Sequence, residues 1–207
     1  MNRPTRSTQK VSMGGFGVIK FDQVTALQDA FIDLSRMIDY PDEDTFSPQV
    51  YDDLVANYPE TAQKQRLLTV FEALSQGTAL DQQSHFSELF EMNKRYPLYM
   101  SYYKMVDSRE RGTLLAKLKM LYEMFGVSID GSELADYLPM ILEFFAYGSF
   151  DGDPRKQDLQ LAFQVIEDGT FTMLQNAAAE IDDPYFQLIK VIREELRSCV
   201  ETEVTAK

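Results

Sequence analysis

The chain predicts an all-α fold, a single globular helical domain of about eight or nine helices. Apolar residues recur at spacings of three and four along most of its length, and strand-like alternation is absent. Gly, Pro and short polar runs fall at intervals suited to helices of ordinary length. With 207 residues, 44% of them hydrophobic and 26% charged, the chain has enough apolar material for one core. No internal repeat argues for a solenoid.

Residues 1–20 carry Arg3, Arg6, Lys10 and Lys20 and no acid. They read as a flexible basic tail, because "VSMGGFGVIK" is too short, polar and glycine-rich for a secretory signal. The "GGFG" within it lacks the length and the following Lys of a phosphate loop. The domain then runs over 21–203, with residues 204–207 frayed. From Phe21 one helix is expected, with Val24, Leu27, Phe31, Leu34 and Ile38 on its inner stripe, widened by Ala30 and Met37. "YPDED" stops it. Ser47 and Pro48 make a cap and first turn for a helix through Tyr51, Leu54 and Val55 that ends before Pro59. "ETAQKQRLLTVFEALSQG" carries Leu67, Val70, Phe71 and Leu74 and closes at Gly77.

Leu80, Phe86, Leu89 and Phe90 form the apolar set of the next helix, and "NKRYP" turns the chain into "LYMSYYKM". Asp107 is placed to cap a helix whose inner face holds Leu114, Leu118, Leu121, Tyr122 and Phe125, with Gly126 as terminator. "GSELADYLPMILEFF" supplies another helix. "DGDP" separates it from a helix around Leu159, Phe163 and Ile166. Gly169 and Pro184 punctuate the last two, the final one bearing Tyr185, Leu188, Ile189, Ile192 and Leu196, with Asp182 and Asp183 at its start.

Thirty-three acids against 20 bases, a formal charge of -13, argue against nucleic acid as a partner, since phosphate binding needs Lys and Arg. Anionic membrane surfaces are disfavoured for the same reason, and no run approaches the roughly 20 apolar residues of a membrane span. The balance leans towards a basic or amphipathic protein segment. A single cysteine, Cys199, makes no internal disulfide, and the single histidine, His85, cannot complete a Cys/His metal set. A reducing, cytoplasmic setting is expected.

Glu133 and Asp136 lie three apart ahead of Pro139. They read first as helix-start acids, second as partner contacts and last as a catalytic pair. With Asp136 as cap, Pro139 falls in the first turn and Leu138, Ile141, Leu142 and Phe145 form the buried stripe. His85 and Glu88 lack the second histidine of a di-metal bundle. Asp151 and Asp153 open like a calcium loop that Arg155 and Lys156 then spoil. Cys199 and His85 have no local support as a nucleophile pair. The cluster Tyr96, Tyr99, Tyr102 and Tyr103 with Met100 and Met105 suits either a core helix or a peptide-binding surface.

"LYMSYYKMVDSRERG", "GSELADYLPMILEFF" and "DDPYFQLIKVI", preceded by "LSRMIDYPDED" and "HFSELFEM", agree in order and spacing with one family. Over residues 21 to about 198 the chain resembles the nitrate reductase molybdenum cofactor assembly chaperones, the NarJ branch of the TorD/DmsD family. The wider family's Glu-x-x-Asp-His signature is matched by Glu133 and Asp136, with Tyr137 at the His position. Asp107, Ser108, Arg109, Arg111 and Gly112 match its Asp-Ser/Thr-Arg-x-Arg-Gly block, and Val106 replaces a Gly common before it.

The resemblance implies a non-enzymatic chaperone without a stably bound cofactor. Such a chaperone binds the N-terminal peptide of the nitrate reductase catalytic (alpha) subunit and assists insertion of the bis-molybdopterin guanine dinucleotide cofactor before membrane docking. It admits proteins of molybdenum cofactor biosynthesis as further partners, and a sulfoxide, N-oxide or selenate reductase as an alternative client. Tyr99, Tyr102, Tyr103, Leu138 and Leu142 are then expected as apolar contacts of the peptide, with Tyr137 and Pro139 beside them. Asp107, Glu133, Asp136 and Glu143 would be charge partners, and Arg109 and Arg111 would clamp either the client's acids or the helix itself.

Overall fold

The computed structural model describes residues 17–201 except Val106, Asp130, Ser132 and Asp151; the expected tail over 1–16 and the frayed end over 204–207 lie outside the described residues. Nine α-helices make up most of the described residues. They are α1 (Phe21–Ala26), α2 (Gln28–Ile38), α3 (Pro48–Asn57), α4 (Lys64–Leu74), α5 (Ala79–Phe86), α6 (Ser108–Met124), α7 (Leu138–Tyr147), α8 (Gln160–Asn176) and α9 (Pro184–Ser198). A π-helical turn, Ser87–Glu91, continues α5, and 3-10 turns occupy Met100–Tyr103 and Lys156–Leu159.

Helix α7 is apolar on nearly every side, which is the mark of a central helix. Leu138, Ile141, Leu142, Phe144 and Phe145 are all fully buried. It packs chiefly on α2, where Phe31 meets Phe145 with ring centroids 5.7 Å apart. The buried Ser35 of α2 satisfies its hydroxyl by donating to the Pro139 carbonyl at 3.1 Å. Helix α9 closes the core from the other side, against α4, α8 and α2.

Four expectations are corrected. The helix expected from Phe21 is two helices, separated at Leu27, whose φ/ψ of -106°/10° leaves the α region while its side chain stays buried. Residues 18–19 of the expected tail form β1 (Val18–Ile19), antiparallel to β2 (Val200–Glu201), with Val18 opposite Glu201 and Ile19 opposite Val200. Two-residue strands are too short for alternation to show. Leu80, placed on an inner stripe, is 70% exposed, because α5 buries only Phe86.

Gly169, read as punctuation, sits inside α8. A Cβ there would lie 2.6 Å from the Met100 carbonyl oxygen, so the glycine admits the 3-10 turn against the helix. The other stops hold. Asp107 and Asp183 cap α6 and α9 by accepting from the backbone N–H groups of Arg109 (2.7 Å) and Tyr185 (2.9 Å). Gly126 follows α6 with φ +84°. Ser47 occupies the N-cap of α3 without a side-chain cap bond, and Pro48 starts the helix.

Candidate functional site

The tyrosine-rich stretch is held between two helices. On one side Gly169 of α8 lets Met100 approach. On the other, the segment pairs with the start of α7 by a single antiparallel bridge, Tyr99 to Tyr137. Met100 N–H donates to the Asp136 carbonyl and Leu138 N–H to the Leu98 carbonyl, both at 2.8 Å.

Asp136 is fully buried at this junction. Its carboxylate accepts from the Ser101 backbone N–H at 3.1 Å and the Ser101 hydroxyl at 2.5 Å. Arg111 of α6 reaches the same carboxylate at 3.1 Å and donates from Nε to Ser101 Oγ at 3.0 Å. Thus the N-cap of α7 is Tyr137, without a side-chain cap bond, and the expectation of Asp136 as cap is corrected. Its oxygens are taken by Ser101 and Arg111, which makes the motif a clamp between α6, the 3-10 turn and α7. Arg111 thereby ties α6 to the residue before the start of α7.

Tyrosines coat the outside of this clamp. Tyr99 and Tyr137 lie with ring centroids 5.4 Å apart. Tyr99 donates to Glu133 at 2.9 Å, and burial, reinforced by that carboxylate, pushes its phenol up to about 12. Tyr137 donates to Asp39, past the end of α2, at 2.7 Å; burial first, then Asp39, holds its phenol well above the ordinary value. Tyr103 is half-buried and donates to the Pro97 carbonyl at 2.9 Å. Tyr102 is 47% exposed.

Tyr99, Tyr102 and Tyr137 face an open cleft of about 370 Å³; Tyr103, expected as a contact, does not line it. Tyr99, Tyr102, Tyr137 and Leu98 form one wall, and Phe86 and Phe90, from α5 and its π-helical continuation, the other. Glu91 and Glu133 stand at the rim with Lys94. Periodicity marked Phe86 and Phe90 as core residues; their part in the cleft comes from a segment that folds back onto the tyrosines, which no local pattern signals.

The other expected site residues divide by burial. Leu138 and Leu142 are fully buried and Pro139 is buried too, so as contacts they are corrected: they line the core beneath the cleft. Asp107 and Arg109 are exposed at the start of α6, and Asp107 Oδ1 is engaged by the cap. Glu143 is half-buried on α7 in a second cleft, and burial, then Asp39, raises its proton affinity. Among the described residues no group of three or more His, Cys, Asp or Glu could hold a metal, and no helix is long and apolar enough to cross a membrane. His85 pairs with Asp183 at 2.7 Å, and Cys199 is buried. Asp153 binds Arg155, while Asp151 lies outside the described residues.

This all-helical architecture is consistent with the all-α TorD-like chaperone fold that the sequence led us to expect. Residues 56–187, well over half of the chain, match the family model described as nitrate reductase delta subunit, and the chain belongs to that family. It is 32% identical over 124 residues to the probable nitrate reductase molybdenum cofactor assembly chaperone NarJ of Bacillus subtilis (strain 168), covering 59% of this chain and 67% of that one. It is 29% identical over 116 residues to the chaperone of the same name in Escherichia coli (strain K12), covering 55% and 49%. The probable chaperone NarW of that strain is 34% identical over 67 residues, covering 32% and 29%. The matches span about two thirds of the first relative and about half of the second.

Proposed function

We propose that this protein is a non-catalytic assembly chaperone for a nitrate reductase, binding the N-terminal segment of the catalytic subunit in the cytoplasm so that the molybdenum cofactor can be inserted before the enzyme docks at the membrane. The names of the relatives support the nitrate reductase as client. The observation that carries the peptide reading is the aromatic cleft of Tyr99, Tyr102 and Tyr137, left open on the surface of an acidic chain. An amphipathic segment would bury its apolar face there, with its basic residues towards Glu91 and Glu133. Ordering that segment on binding offsets part of the contact energy, which suits a client that must later be released. The cofactor is cargo of the client in this reading, and the chaperone holds none stably. Its further partners would be proteins that make or deliver that cofactor.

Titration calorimetry with a synthetic N-terminal peptide of the cognate catalytic subunit tests the proposal. Saturable binding that Tyr102→Ala weakens is the expected result; the absence of heat and of competition for the peptide by any client fragment would overturn it.

A further inference from the structure

Beyond Tyr137 lies a second cleft of about 240 Å³, between α2 and α7. Two observations make it continuous with the first. Tyr137, a wall of the first, donates to Asp39, a wall of the second. Tyr40, which lines the second and is 48% exposed, sets its ring edge-on to Phe86 of the first at 5.7 Å. The two clefts therefore meet at Tyr137 and Tyr40, and Tyr147, 60% exposed, also lines the second.

The chemistry of the second cleft differs. Glu143 stands half-buried in its wall with no hydrogen-bond or ion-pair partner among the described residues, and Asp39 is the carboxylate that acts on it. Asp42 is also in the wall, but its Oδ1 accepts from Thr45 at 2.7 Å. Arg36 lines the cleft too, exposed and making no ion pair among the described residues. A carboxylate partly removed from water without a cation is held at a cost that an arriving cation offsets.

We infer that this cleft is the second half of the client groove: one segment lays its apolar face on Tyr99, Tyr102 and Tyr40 and seats a Lys or Arg side chain between Glu143 and Asp39. The inference rests on the proposed client binding and adds the residue class that the groove selects. The paired carboxylates add a second place for a basic residue, beyond the one that Glu91 and Glu133 offer at the first cleft.

The test is a double-mutant cycle by calorimetry at low salt. The probes are the N-terminal peptide of the cognate catalytic subunit and the same peptide with every Lys and Arg replaced by Gln. Glu143→Gln and Asp39→Asn are each expected to weaken the native peptide roughly tenfold. Neither should change the affinity of the Gln peptide. Asp158→Asn, an exposed acid lining neither cleft, should leave both affinities unchanged, and circular dichroism shows that each variant is folded. The inference is overturned if the native peptide lacks Lys and Arg, if it binds both variants as tightly as the unaltered protein, or if both peptides weaken equally. If the unaltered protein binds neither peptide, the client reading itself fails and the inference falls with it.

Discussion

Asp136 shows how a residue that looks like a surface group can be a core one. Its neighbours in sequence made it a helix-start acid, whereas Ser101 and Arg111 are what surround it. Removing one member of a buried charged pair is costly because the other stays behind, although the partial exposure of Arg111 softens the effect. Asp136→Asn is therefore expected to destabilise the fold by about 2 kcal/mol, read as a lower urea midpoint. A binding defect in that variant would reflect the displaced tyrosine turn. Tyr102 and Leu142 make the opposite pair. Tyr102→Ala should weaken client peptide by about 1–2 kcal/mol with stability within about 0.5 kcal/mol of the parent. Leu142→Ala should lower stability by about 2–5 kcal/mol, because a fully buried leucine leaves a cavity. Denaturation curves and peptide titrations on the same samples separate the two effects. The burial of Leu142 was legible in sequence from its place on the apolar stripe, whereas the tyrosine cluster suited core and surface equally.

Among elements, caps and stops were readable where their chemistry is local. Asp107 and Asp183 each need only a backbone N–H two residues on. Gly169 was misread because its reason lies about seventy residues away, at Met100. The two helical glycines of α6 and α8 should then respond oppositely to alanine. Gly112 is exposed, and nothing lies within 4 Å of where its Cβ would be, so Gly112→Ala should stabilise by about 0.5–1 kcal/mol through helix propensity. Gly169→Ala gains the same propensity yet forces the 3-10 turn from α8, and about 2 kcal/mol of net destabilisation is expected. Thermal unfolding of the two variants beside the parent checks the signs. The break at Leu27 and the π-helical turn after α5 also escaped the pattern, since apolar spacing stays in phase with helix across both.

At the scale of the whole molecule the acid surplus leaves like charges facing one another. Asp33 of α2 is raised to about 6, first by burial and then by Asp53 of α3 and Asp29. The folded state holds that proton more tightly than the unfolded chain, so the associated stability is complete below about pH 4 and is lost as pH rises through 6. Asp33→Asn should raise stability at pH 7.5, by about 1 kcal/mol once solvent screening is allowed for, and give no gain at pH 4. Urea midpoints at the two pH values measure it.

The sequence by itself determined the helical class, the single core, most helix ends and the acidic balance that disfavours nucleic acid. Each of these follows from residue type and spacing within a few turns of chain. Only the tertiary structure decided that Asp136 is buried, that Tyr102 is left exposed, and that Phe86, Tyr40 and Asp39 come beside the tyrosines. Those outcomes depend on contacts between segments tens of residues apart, and periodicity reports which face of a helix is apolar without saying what will cover it.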